Sequence, residues 1–428
     1  MKYLPFIGAT LFLLLASCSS KITHPKDYDF ALSASNKKSI DQTYTTLDFW
    51  NGRLSRDSTN LVALPKVAQA YSDLFDATAQ IHFLKASEMA LEKSAAIAAI
   101  DPSLYLESLA ANYIKQHRFK DALRTLERAY NVGGGTASTL FMLFDVHMEL
   151  GNYQTAQVLL EKNKDFSDFN YITRLAKLKD YQGDLDATIH YMEEAQRMVA
   201  NSHKKELQMW VDTNLADYYG HAGRLQESYA HYLKALKQDP TNAYAKKGIA
   251  WIAFSHEKNA AEALRIIQSI PDAYYSPDYY LLLAEIATFQ EDEAAKVKWN
   301  NSYLNAVANS DYGRMYQIPT ALLLAEEENA FKDAIAMAKE EVQQRPTPET
   351  YSVLAYILNL AGSHEDALLI AEKHIRDKTF EPEANLRLAS IYKSNKKYDE
   401  LKRLEADLKD SSYELGPITT QKIEELYN

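Results

Sequence analysis

The sequence predicts an all-α solenoid built from about nine or ten helical hairpins, and three observations carry that expectation. Gly and Pro are scarce, 13 and 12 in 428 residues, about half the ordinary share, so helices are broken rarely. A Leu-Ala pair or close equivalent recurs along the body at Leu109, Leu143, Leu175, Leu215, Ile249, Leu283, Ala321, Leu354 and Leu388, at intervals of 34, 32, 40, 34, 34, 38, 33 and 34 residues. Between the pairs fall turn glycines such as Gly151, Gly183, Gly223 and Gly362, and terminating prolines such as Pro102, Pro240, Pro346 and Pro382. Hydrophobic residues make up 46% and charged residues 25%, enough to bury a large core and too apolar for wholesale disorder. The net charge of −11 comes without any basic run, which argues against nucleic acid as a partner. One cysteine excludes an internal disulfide framework and any multi-cysteine zinc site.

Taken in order, the chain opens on Met1 and Lys2 and then an apolar run from Tyr3 to Ala16. A run of about 14 residues is short for a hydrocarbon layer roughly 30 Å thick but suits the apolar part of an export signal. Leu15-Ala16-Ser17-Cys18 resembles the lipobox of bacterial lipoproteins. The resemblance implies a signal peptide over residues 1–17, cleavage before Cys18, and acylation there, with palmitate among the chains. Several chains hold a protein on a bilayer where one does not, since each buried methylene contributes roughly 0.8 kcal/mol. Ser19, not Asp, follows the cysteine, which in that family implies the outer membrane, with the protein facing the periplasm. Residues 18–57 read as a lipidated tether and N-terminal segment, 58–410 as the solenoid, and 411–428, with Ile418, Ile423 and Leu426 among polar residues, as a capping segment.

Within the body, residues three and four apart share a helix face, so Leu215, Ala216 and Tyr219 form one stripe. The small residue admits the paired helix closely, and the aromatic fills the space beside it. Gly223 reverses the chain, Ser228, Tyr232 and Ala235 form the answering stripe, and Pro240 ends the unit. Asp212, Leu215, Ala216, Tyr219, Ser228, Tyr232 and Pro240 fall at the spacing of the tetratricopeptide (TPR) repeat, which these residues resemble. Tyr351, Leu354, Ala355, Leu358, Ala367 and Ala371 make a second good copy. The resemblance implies TPR-like hairpins wound into a right-handed superhelix. Phe144 in place of the small residue, Lys179 in place of the aromatic, and the long spacing near 200–205 mark irregular units.

Signatures of chemistry are sparse, and no catalytic residue, metal ligand or cofactor is assigned. His256-Glu257 and His364-Glu365 begin the H-E-x-x-H pattern and then depart from it. Gly133-Gly134-Gly135 follows a helix and precedes no Lys-Ser or Lys-Thr, so it reads as a turn and not a phosphate cradle. Ser390-Ile391-Tyr392-Lys393 matches S-x-x-K but lacks the companion motifs of serine acyl enzymes.

In TPR proteins the first helices line the concave face, and partners lie along it. The residues expected there are Lys177, Asp217, Trp251, Phe254, Tyr356 and Asn359, a mixture of aromatic and polar groups suited to an extended peptide. The Lys/Asn/Arg clamp that some TPR proteins use for carboxyl-terminal peptides has no counterpart here. The sequence therefore reads as a non-enzymatic, lipid-anchored envelope scaffold that binds a protein or peptide. A structural assembly factor of an envelope complex, or an enzyme with a site in the repeat groove, are the alternatives.

Overall fold

The structure is a computed structural model that describes residues 21–133, 135–270 and 274–428. The export run and Cys18 lie outside the described residues, as does Gly134 of the glycine triplet. Among the described residues there are twenty-four α-helices and no strand.

Short helix α1 (Asp29–Leu32) and long helix α2 (Lys37–Leu54) precede ten hairpins. These are α3 (Ala63–Thr78) with α4 (Ile81–Ile97), α5 (Pro102–Lys115) with α6 (Phe119–Asn131), α7 (Ala137–Glu149) with α8 (Tyr153–Lys162), and α9 (Phe169–Tyr181) with α10 (Leu185–Val199). Next come α11 (Lys205–His221) with α12 (Leu225–Gln238), α13 (Ala243–Trp251) with α14 (Ala260–Gln268), and α15 (Asp278–Phe289) with α16 (Glu293–Val307). The last three are α17 (Gln317–Glu326) with α18 (Phe331–Gln344), α19 (Pro348–Leu360) with α20 (His364–His374), and α21 (Pro382–Ser394) with the short pair α22 (Tyr398–Arg403) and α23 (Glu405–Asp410). Helix α24 (Ser412–Tyr427) closes the chain.

The repeat stripes do the packing that their spacing implies. Ala110, Ala176, Ala216, Ala355 and Ala389 on first helices are fully buried, as are Ala122, Ala156, Ala367 and Ser228 on second helices. Phe144 is fully buried too, so its unit keeps the stripe while giving up the small residue. Helix starts are fastened by side chains: Asp168, Asp184, Asn242, Asn259 and Asp292 each accept a hydrogen bond from a backbone N–H of the first turn. Such a cap is worth about 1 kcal/mol. Gly223 turns its hairpin at a φ of 71°, but other hairpins turn on His117 (φ 56°), Lys258 (φ 55°) and Lys396 (φ 57°). The reversal is set by the flanking helices, and a non-glycine residue is carried into the left-handed region at a cost of roughly 1–2 kcal/mol.

The solenoid makes more than one turn, and the second coil rests on the first. Tyr312, beyond the seventh hairpin, packs with Ile81 and Leu84 of the first, and the Tyr275 N–H donates to the Thr78 carbonyl at 2.7 Å. Arg345 meets Glu149 at 2.8 Å, and the Phe380 ring lies over Gly183. These contacts run along the edge of the first coil that carries the within-hairpin turns.

Both ends of the described chain return to the fifth to seventh hairpins, the last part of the first coil. Residues 21–32 lie on the second helices α12 and α14, with Ile22, Thr23, Tyr28 and Ala31 buried. At the other end α24 lies against the first helices α11 and α15 and the turn that follows α13.

Candidate partner groove

The groove is built by the first helices of the fifth to seventh hairpins. Helix α13 ends in a π-helical turn, Ile252–His256. This wider turn brings Trp251 and Ser255 to one point: the Trp251 indole N–H donates to the Tyr413 carbonyl at 3.1 Å, and the Ser255 hydroxyl donates to the same oxygen at 2.6 Å. Phe254 lies beneath, fully buried, edge-on to Trp251 at 5.9 Å and to Phe289 at 5.4 Å. Gly416, at a φ of 82°, breaks the helical path of α24 and sits where a Cβ would come within 2.9 Å of both the Trp251 ring and the Glu285 carboxylate. The C-terminal halves of α11, α13 and α15 are thus covered by the chain's own last helix.

The N-terminal halves of α11 and α13 are open. They border a cleft of about 1200 Å³ whose opposite wall is the start of α2 and the end of α3. Trp210 (45% exposed) and Tyr244 (52% exposed) line it. The Tyr244 hydroxyl donates to Asp217 at 2.6 Å, and the Tyr232 hydroxyl donates to the other oxygen of that carboxylate. Burial pushes the Asp217 carboxyl above its ordinary range, opposed by these two hydroxyls.

The six residues expected on the groove are thus divided. Asp217 stands behind the open cleft, while Trp251 and Phe254 belong to the covered half. Lys177 pairs with Glu149 at 3.0 Å, and the same carboxylate takes Arg345 of the second coil. Asn359, buried, donates to Ser394 at 3.1 Å and contacts His364 at 2.8 Å. Burial, with Glu326 alongside, pushes the Tyr356 hydroxyl upward. Trp210 and Tyr244 were not singled out by sequence reasoning. A signal existed for the first, because Trp210, Asn214 and Asp217 fall at i, i+4 and i+7 on one stripe of α11.

Carboxylates gather where the coils meet. Burial pushes Glu381 up to about 7, helped by the charges of Asp180, Glu414, Glu349 and Glu383. Burial also pushes Glu285 up to about 7, opposed by Lys422 and reinforced by Glu383. Asp180 and Glu414 are raised by burial as well, with His221 opposing in both. Lys393 of the S-x-x-K sequence donates to the carbonyls of Glu425 and Leu426, at 2.9 and 2.5 Å, and so caps the end of α24. Among the described residues no three of His, Cys, Asp and Glu converge as metal ligands, and no helix is long and apolar enough to cross a membrane.

No protein-family model matches the sequence, and no curated protein matches it at a significant level. Several solved structures resemble the fold at low identity. Pseudomonas aeruginosa PilF is 14% identical over 50% of this chain and 96% of its own, with a TM-score of 0.37. A tetratricopeptide repeat protein from Parabacteroides merdae is 14% identical over 57% and 95%, with a TM-score of 0.40. Human IFIT1 is 14% identical over 77% of each chain, with a TM-score of 0.45. The TPR-like hairpin assignment stands on this chain's own packing, set out above.

Proposed function

We propose that the protein is a non-enzymatic scaffold of the bacterial envelope. It is anchored by lipid on Cys18 to the outer membrane facing the periplasm, and it holds a protein or peptide along its concave face. The observation that carries the binding part is that this face already takes a stretch of polypeptide in cis. Two side-chain donors converge on one backbone carbonyl of Tyr413, while aromatic rings supply the apolar contact. Recognition of a backbone carbonyl with aromatic support is what binding a protein or peptide segment requires. The open cleft continues the same surface with Trp210, Tyr244 and Asp217, and a partner enters there. Lys177, Trp251, Phe254, Tyr356 and Asn359 serve it as the frame of the groove and its covered extension. The anchor rests on the lipobox-like residues Leu15 to Cys18.

The binding part is tested by photo-crosslinking residues placed singly at Trp210, Asp217 and Tyr244 in intact cells, with mass spectrometry of the adducts. A common protein adduct from these sites is expected, and its absence at all three overturns the reading. Cys18→Ser is expected to abolish acyl-chain labelling; labelling that persists overturns the anchor.

A further inference from the structure

The segment that follows the lipidation position is bolted to the solenoid. The Glu257 carboxylate accepts hydrogen bonds from the backbone N–H groups of Ile22 and Thr23, at 2.8 and 2.6 Å, and from the Thr23 hydroxyl at 2.9 Å. The His24 N–H donates to the Tyr229 hydroxyl at 3.0 Å. Tyr28 is fully buried, and its hydroxyl donates to Glu262. Arg265 holds Glu262 from the other side at 2.7 Å and reaches Asp29 at 2.7 Å. Three backbone donors, two hydroxyl donors and a buried ring make a docked strap, and the four bonds to carboxylates are charge-assisted, about twice as strong as neutral ones.

Cys18 precedes Ile22 by four residues, which span at most roughly 14 Å when fully extended. The polar layer on each side of a bilayer is roughly 5–8 Å deep. A leash that short, fixed at its protein end, leaves the solenoid little freedom to turn. We propose that the face formed by the strap with α12 and α14 is the membrane-facing surface of the protein, so that the first helices and their cleft open away from the lipid. This inference rests on the anchor reading given above. The strap carries Lys21 and Lys26 against Asp27 and Asp29, so it brings no net charge to the bilayer. Affinity comes from the acyl chains and orientation from the strap. Phe30, within the strap and 48% exposed, is an apolar side chain offered to the headgroup layer.

The test uses the full-length acylated protein in phosphatidylethanolamine/phosphatidylglycerol vesicles containing headgroup-nitroxide lipid. Cys18 is the only cysteine, so acylation leaves no free thiol and Gln268→Cys on α14 or Gln421→Cys on α24 can each be labelled alone with a fluorophore. Quenching at 268 is expected to exceed that at 421 by at least about threefold, as nitroxide quenching reports proximity on the length of the leash. Glu257→Ala is expected to abolish the contrast by releasing the strap. A ten-residue Gly-Ser insertion between Ser20 and Lys21 is expected to abolish it with the strap still docked, which covers the case in which Glu257→Ala perturbs folding. Equal quenching at both sites in the parent protein, or a contrast that survives the insertion, overturns the orientation. Loss of vesicle binding and of acyl labelling in the parent protein overturns the anchor reading instead.

Discussion

The two ends of the described chain dock on neighbouring hairpins from opposite sides, and they do so with opposite electrostatics. At the strap, carboxylates are acceptors with their partners in place. Arg265 beside Glu262 holds that carboxyl below its ordinary 4.5, with the Tyr28 hydroxyl adding to the effect against burial. At α24, carboxylates are crowded and under-compensated, so burial pushes Glu285 up to about 7. Glu262 therefore contributes most to the strap when it is charged, and Glu285 to the α24 seat when it is neutral.

The strongest way to break this comparison is to remove the ring at the centre of the strap. Tyr28→Ala is expected to destabilise the docked segment by about 3–5 kcal/mol, the range for emptying a buried aromatic site. Hydrogen exchange should then show residues 22–31 losing protection while α24 keeps its own. Equal loss at both ends would mean that the two docks are one cooperative unit.

A smaller effect is expected from Gly416→Ala. The new methyl meets the Trp251 ring and Glu285 at 2.9 Å, and the residue must hold a φ of 82°. Together these are expected to cost about 1–3 kcal/mol. Protection of residues 412–427 should fall and the Trp251 emission should shift to the red, with the strap unchanged. An unshifted spectrum together with unchanged protection would show that α24 is not held at this point.

The smallest effect sharpens the comparison through pH. Glu285 has its folded-state value raised from 4.5 to about 7, so its contribution to the seat is fully present below about pH 4.5 and is lost as pH rises toward and through 7. Glu262 is depressed from 4.5, so its contribution to the strap is present above that value and is lost as pH falls below it. Hydrogen-exchange protection factors for α24 are expected to drop by roughly threefold to tenfold between pH 5 and 8 while those of the strap stay level. Glu285→Gln should flatten the α24 profile. A strap that loosens over the same interval would contradict the assignment.

What the sequence by itself determined is the unit that repeats. Ala216 faces its paired helix for the same reason as Ala110 and Ala355: the small side chain recurs at a near-constant interval, and each hairpin buries its stripe against the next. Those contacts are local in the chain, and periodicity records them many times over. The groove was legible only in part. Asp217 and Trp251 could be placed on first helices, but nothing in a repeating stripe says which half of that surface the chain itself would cover. That was decided by contacts that occur once. Trp251 meets Tyr413 across 162 residues, and Glu257 meets Ile22 across 235. A single carboxylate capping two distant N–H groups has no period to betray it, and His256-Glu257 read in sequence only as the start of a metal motif. The winding of the coil brought these groups together, because each hairpin's small rotation adds to the next until the second turn lies on the first. Only the tertiary structure could therefore decide where the two ends of the described chain come to rest.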